Sequence, residues 1–224
     1  MGILIAVDGV DASGKQTQTE LLYKRLSEEG KRVRLVSFPA YGSESSALVK
    51  MYLNGDFGDK PEDTSAYAAS SFFAADRFAT YKTDWGKDYN DGTIIIADRY
   101  VSSNMIHQAG KIKDKTEKDK FLSWLDDFEY NIYGLPRPNI TVFLDMPVKW
   151  RIKLLSERPN KVTGGEAKDI HESNEEYLEE SYNNAVYAAE KFGWERIICA
   201  NENGVRTVED IHNEVYDKVK TVIL

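Results

Sequence analysis

The sequence predicts an α/β fold, a five-stranded parallel sheet with helices on both faces. Three observations lead there. Five short apolar runs alternate with helical stretches along the 224 residues, and such alternation packs as right-handed crossovers onto a parallel sheet. A glycine-rich loop stands between the first run and the first helix, a position suited to binding phosphate. A later apolar run, Thr93 to Ala97, ends on Asp98 and Arg99. That delivers charge to the carboxyl edge of the sheet, where open α/β folds bind ligands.

Each element has its own signal. Ile3 to Asp8 is a short apolar run closed by a glycine, as in a buried parallel strand. Gln16 to Glu29 follows as a helix, with Leu21, Leu22 and Leu26 at helical spacing and Gly30 as its stop. Arg32 to Phe38 is the second strand, Thr93–Ala97 the third, Ile140–Leu144 the fourth and Arg196–Ala200 the fifth. Further helices are predicted over Ser45–Asn54, Thr64–Asn90, Thr116–Tyr133, Val148–Glu157, Glu172–Phe192 and Val208–Val222. With no repeat or linker, residues 1–224 read as one domain. Arg158 to Lys168, rich in Pro, Asn, Gly and Lys between two helices, predicts a functional lid over about residues 158–172.

With 37 acidic and 29 basic residues, the formal net charge is −8. That argues against a nucleic-acid polymer as partner, because phosphate contacts along a polymer need a basic face. A nucleotide needs only a few local cations. The single cysteine, Cys199, permits no intrachain disulfide and fits a reducing compartment. The first residues lack the basic region and longer apolar run of a secretory signal, and no apolar run approaches membrane-spanning length. The expectation is a soluble, cytoplasmic protein without a membrane partner.

Gly9-Val10-Asp11-Ala12-Ser13-Gly14-Lys15 is a G-x-x-x-x-G-K loop after an apolar strand and before a helix, the context the motif requires. Its glycines let backbone N–H groups converge on phosphate oxygens, and Lys15 would reach the β- and γ-phosphates of ATP. Gln16 stands where Ser or Thr normally holds Mg²⁺, and Thr17 follows one place later. Four apolar residues leading into Asp98 form the arrangement that sets a carboxylate beside the metal. Arg99 next to it can neutralise a transferring phosphoryl group and clamp an acceptor phosphate. A GTPase switch would want Asp-x-x-Gly after this strand and Asn-Lys-x-Asp later. The first is absent, and Asn160-Lys161-Val162-Thr163 lacks the aspartate.

With these residues placed, the sequence resembles the thymidylate kinase family, a branch of the P-loop nucleoside monophosphate kinases, over nearly its whole length. Gly9-Val10-Asp11 carries the aspartate that the resemblance assigns to the deoxyribose 3′-hydroxyl and the metal. Phe38-Pro39-Ala40-Tyr41-Gly42 is similar to a Phe-Pro-Arg-Tyr-Gly segment lining the thymidylate pocket. Phe73-Ala-Ala-Asp-Arg77 resembles a Phe-x-x-x-Arg helix motif whose Phe stacks on thymine and whose Arg donates to O4. Those two positions share one helix face. Asp98-Arg99-Tyr100-Val-Ser-Ser-Asn104 resembles an Asp-Arg-Tyr signature whose Asn pairs with thymine N3, and Gly134-Leu-Pro-Arg-Pro138 is similar to the segment entering the fourth strand.

The resemblance implies a homodimeric kinase that uses Mg²⁺ and transfers the γ-phosphoryl of ATP to dTMP, giving dTDP on the way to dTTP. Catalysis would fall to Lys15, Asp98, Arg99 and Asp11, with Asp98, Asp11 and Thr17 as candidate metal ligands. The nucleotide loop, Gln16, Thr17 and either Arg151 or Arg158 would hold ATP, one of these arginines stacking on adenine. Asp11, Phe38, Tyr41, Phe73, Arg77, Arg99, Asn104 and His107 would hold dTMP. Arg158, Lys161, Lys168, Asp169 and Glu172 would form the lid. Departures from the family pattern are Ala40 and Ile170 where arginine is usual, Ala12 where some members carry an arginine, and His107 in place of a tyrosine. Two alternatives remain at this stage: a kinase for another deoxynucleoside monophosphate, and a nucleotide-binding protein without turnover.

Overall fold

The computed structural model describes residues 1–156 and 175–223. The chain runs β1 (Leu4–Gly9), α1 (Lys15–Glu28), β2 (Val33–Ser37), α2 (Ala47–Leu53), α3 (Ala66–Thr80) and α4 (Gly86–Asn90). It continues through β3 (Ile94–Asp98), α5 (Val101–Gly110), α6 (Lys115–Asp126), β4 (Ile140–Asp145) and α7 (Val148–Ser156). Helix α8 (Glu175–Phe192), β5 (Glu195–Ile198), a small hairpin of β6 (Ala200–Asn201) and β7 (Gly204–Val205), and α9 (Val208–Ile223) complete it.

The main sheet is five-stranded and parallel, in the order β2-β3-β1-β4-β5. Its central strand, β1, is buried along its whole length, which is why it reads as a continuous apolar run rather than an alternating one. Successive side chains serve opposite faces. Ile5, Val7, Ile96, Val142 and Leu144 join Leu22 and Leu26 of α1 and Ile211, Val215 and Val219 of α9 in one core. Leu4, Ala6, Ile95 and Ala97 join Trp85, Tyr100, Met105, Phe121 and Leu125 in the other. Both faces are therefore covered, as the alternation of strands and helices requires.

Three local features differ from expectation. Helix α5 was not anticipated: eight of its ten residues are buried, so it carries no polar stripe, and Tyr100 at its N-cap offers no side-chain cap. The helix expected over Thr64–Asn90 is interrupted by a π-helical turn, Tyr81–Trp85, between α3 and α4. Gly86 permits it, because a Cβ there would stand 2.1 Å from the Tyr81 carbonyl oxygen. A second π-helical turn, Asp127–Ile132, extends α6 and carries the fully buried Glu129. The fifth strand ends at Ile198 rather than Ala200, where the small hairpin begins. The expected lid and the start of the helix at Glu172 lie outside the described residues.

Candidate active site

The site forms where β1 and β3 end side by side. Val7 pairs with Asp98 in the parallel register, so the glycine-rich loop after β1 and the Asp98-Arg99 pair after β3 share one sheet edge. Gly14 caps α1 in the left-handed region, at φ 88°, where glycine is the residue without steric penalty. A Cβ on Gly9 would lie 2.7 Å from the Leu144 carbonyl oxygen, so the loop packs directly on β4. Lys15 is buried, and its Nζ donates to the carbonyls of Gly9 and Val10 at 2.9 and 3.0 Å. Burial, with the charge of Arg99 second, brings its ammonium down to about 8, against the opposing pull of Asp11, Asp8 and Asp98.

Arg99 has φ 67°, a left-handed backbone that costs a non-glycine residue ~1–3 kcal/mol and clusters at functional sites. Its N–H is held by the Val7 carbonyl at 3.0 Å. Its Nη2 donates to Asp11 Oδ1 at 2.5 Å, and its Nη1 lies 3.4 Å from Ser103 Oγ and 3.1 Å from His107 Nε2. A guanidinium only donates, so His107 accepts through Nε2 in this contact. Burial would raise the Asp11 carboxyl, but Arg99, Lys15 and Arg151 outweigh it and hold the group well below the usual carboxylate range. Asp8 is a further buried carboxylate, accepting from the Gly9 N–H and from both Ser102 and Ser103 hydroxyls. Nothing in the motif pointed to it.

A pocket open to solvent lies beside this edge. Asp11, Phe38, Tyr41, Phe73, Arg77, Arg99, Asn104 and His107, the eight residues expected to hold the acceptor, all line it. Pro39, from the segment expected in the pocket wall, lines it too, and so do Leu53, Ser103 and Gln108, which were not anticipated. Phe73 is half-buried and meets Tyr52 edge-on, ring centroids 6.1 Å apart. Arg77 is buried and donates from Nε and Nη2 to the two oxygens of Glu129, each at 2.6 Å. Burial works against its charge, but Glu129 more than compensates and its pKa is raised. Asn104 Nδ2 donates to Glu129 Oε1 at 3.1 Å and to the Ser70 carbonyl at 3.2 Å. The backbone N–H of Ala40 donates to buried Asp76, which also accepts from Ser45 Oγ.

Several expected residues sit outside the pocket. Gln16 and Thr17 are exposed in the first turn of α1, and Gln16 reaches along the helix to Glu20 at 2.8 Å. Arg151 on α7 is buried, and its Nε donates to the Asp11 carbonyl at 2.9 Å, so it braces the loop from behind. The sequence left open whether Arg151 or Arg158 meets adenine, and Arg158 lies outside the described residues. Arg158, Lys161, Lys168, Asp169 and Glu172 lie outside the described residues. Among the described residues no three His, Cys, Asp or Glu side chains form a self-sufficient metal site. A few carboxylates beside a phosphate loop nevertheless suit Mg²⁺, which takes most of its ligands from water and substrate phosphates. Among the described residues no helix is long and apolar enough to cross a membrane.

Comparison with known proteins bears on the family and the fold. The family model described as "Thymidylate kinase" matches residues 7–214. The thymidylate kinase of Mycobacterium tuberculosis is 31% identical over 189 residues, covering 83% of this chain and 84% of the relative. A probable thymidylate kinase of Thermococcus gammatolerans is 29% identical over 226 residues, covering 100% and 99%. Among solved structures, a thymidylate kinase from Candida albicans superposes with a TM-score of 0.72 at 22% identity, covering 98% of this chain and 92% of that one. That last likeness bears on the fold alone.

Proposed function

The chain belongs to the thymidylate kinase family, and from that premise we propose which of its residues carry the transfer of the γ-phosphoryl of ATP to dTMP. The acceptor phosphate attacks directly, so no protein nucleophile is needed and catalysis is positioning and charge neutralisation. Lys15 exchanges its two loop carbonyls for β- and γ-phosphate oxygens. Arg99, presented by its left-handed backbone, lies between the loop aspartate and the pocket and neutralises the group in flight. Asp11 and Asp98 would hold Mg²⁺, which when bound neutralises charge on the β- and γ-oxygens. Arg151 keeps Asp11 in place through its carbonyl.

At the far end of the pocket, Phe73 stacks on thymine, Arg77 donates to O4 and Asn104 pairs with N3. The observation that carries this reading is that all eight acceptor residues line one pocket beside the phosphate loop. The lid residues would close over the site within the same domain and exclude water, suppressing ATP hydrolysis. The reading includes a cytoplasmic homodimer, which sedimentation would test. A coupled ADP-release assay over a panel of monophosphates tests the chemistry. We expect dTMP and dUMP to be used in preference to dCMP, because a buried donor facing an amino group is left unmatched. Equal kcat/KM for dTMP and dCMP would rule out this base arrangement. Binding of both nucleotides without ADP release would rule out turnover.

A further inference from the structure

Behind the base end of the pocket lies a buried acid that the reaction does not use. Glu129 is fully buried, in the π-helical turn after α6. It touches both residues assigned to the base: Arg77 on α3 and Asn104 on α5. We propose that Glu129 sets the base specificity of this pocket by fixing which hydrogen-bonding atoms Asn104 and Arg77 present. The proposal rests on the reading of those two residues as the base-recognising pair.

A carboxamide by itself is ambivalent. Its oxygen matches the N3–H of thymine or uracil, whereas its NH₂ matches the bare N3 of cytosine. The choice is made behind Asn104. Its Nδ2 faces two oxygens, the Ser70 carbonyl at 3.2 Å and Glu129 Oε1 at 3.1 Å. Turning the amide over would set Oδ1 against both, oxygen to oxygen. With both Nδ2 hydrogens spoken for, Oδ1 is the atom left to meet a ligand, and it only accepts. Arg77 needs no such selection, because a guanidinium only donates. Glu129 takes its Nε and one Nη2 hydrogen, and so fixes which N–H groups remain for the base. The pair thus offers one acceptor beside donors. That pattern complements an N3–H next to a C4 carbonyl, the imide face of thymine and uracil, and opposes cytosine at both atoms.

A role limited to neutralising Arg77 would affect stability and leave base choice alone, and Glu129→Gln separates the two. Glutamine keeps the shape but puts a donor where Glu129 now offers only acceptors, so the Asn104 amide is no longer held one way round. In the variant, the ratio of kcat/KM for dTMP to that for dCMP should fall by about tenfold or more. The loss should sit in KM for dTMP, with KM for ATP unchanged within about twofold. A folded variant whose ratio falls by less overturns the proposal while leaving the base-recognition reading intact. Wild-type enzyme that uses dTMP and dCMP alike overturns both. If circular dichroism shows Glu129→Gln unfolded, the Asn104 side-chain amide of the wild-type protein is followed by NMR while dTMP is added. Amide protons that keep their protection and shift support the proposal, and protons recruited to the ligand overturn it.

Discussion

Each end of the pocket presents an arginine paired with a carboxylate, and the two pairs are built for opposite purposes. At the base end, Arg77 and Glu129 are 1% and 0% exposed and bond through two contacts, with Asn104 completing a closed network. At the phosphate end, Arg99 and Asp11 are 25% and 22% exposed and meet through one guanidinium nitrogen, with His107 and Ser103 as looser neighbours. A buried ion pair is held because removing either partner strands the other. A partly exposed pair exchanges its partner more readily, because water and incoming phosphate compensate each charge. The first arrangement suits recognition of a fixed pattern, and the second suits a site whose charges must be redistributed during reaction.

Removing the arginine from each end gives the largest separation between them. Arg77→Ala leaves Glu129 buried without its counter-charge and should destabilise the fold by ~3–5 kcal/mol. Arg99→Ala leaves a partly exposed aspartate and should change stability by no more than about 1 kcal/mol. Activity should show the reverse contrast. Arg99→Ala, like Lys15→Ala, should lower kcat by ~10²–10³ with the circular dichroism unchanged, because the lost charge acts on the transition state. Urea unfolding and kcat, measured on the same preparations, check both halves. If Arg77→Ala unfolds at the wild-type midpoint, or Arg99→Ala keeps more than about a tenth of kcat, the two ends are not distinct.

Ala40 sharpens the comparison at the phosphate end. It stands between Pro39 and Tyr41, both in the pocket wall, where the family pattern carries an arginine. Among the described residues, Arg77 and Arg99 are the cations lining the pocket, and Glu129 already engages the first. The grip on the acceptor phosphate therefore falls chiefly on Arg99. One charge-assisted hydrogen bond contributes ~1.5–3 kcal/mol, so Ala40→Arg should lower KM for dTMP by about one to two orders of magnitude. An unchanged or higher KM would mean that another cation already fills that place. Removing Lys161 or Lys168, both outside the described residues, would then be the next measurement.

The two ends were also unequally legible in the sequence. The phosphate end is local: loop, strand and Asp98-Arg99 are contiguous motifs whose backbone geometry makes the site, and β1 pairs with β3 in a register that joins them. Phe73 and Arg77 were legible through the family resemblance, with which their spacing of four on one helix face is consistent. Glu129 was not. It lies 52 residues from Arg77 in sequence, within an acidic run that reads as a solvated helix face, and a π-helical turn delivers it. Helix α5 escaped notice because it is buried nearly all round, leaving no period to detect. The bond from Arg151 to the Asp11 carbonyl was not legible either, because it spans 140 residues and depends on the packing of α7.

The smallest expected effect is in pH dependence, and it bears on both ends at once. Burial and the nearby Arg99 bring Lys15 from its ordinary 10.5 to about 8. The protonated form is the one that binds phosphate, so kcat/KM for ATP, which reports the free enzyme, should fall as pH rises through 8. The loss is a factor of about two at pH 8 and about ten at pH 9. Bound polyphosphate favours the charged lysine, so kcat should hold to higher pH than kcat/KM. The same group moves stability the other way. Between about 8 and 10.5 the unfolded chain keeps a proton that the folded one has released, so this contribution to stability rises with pH. Lys111 is likewise brought to about 8 by burial, but it bonds Tyr52 and the Thr64 carbonyl outside the pocket lining. Lys111→Met should therefore leave the alkaline limb in place. The base end should be flat across this window, because the pKa of Arg77 is raised. The preference for dTMP over dCMP should thus stay constant between pH 7 and 9. A flat kcat/KM would remove Lys15 as the titrating group, and a preference drifting in step with it would show the two ends coupled.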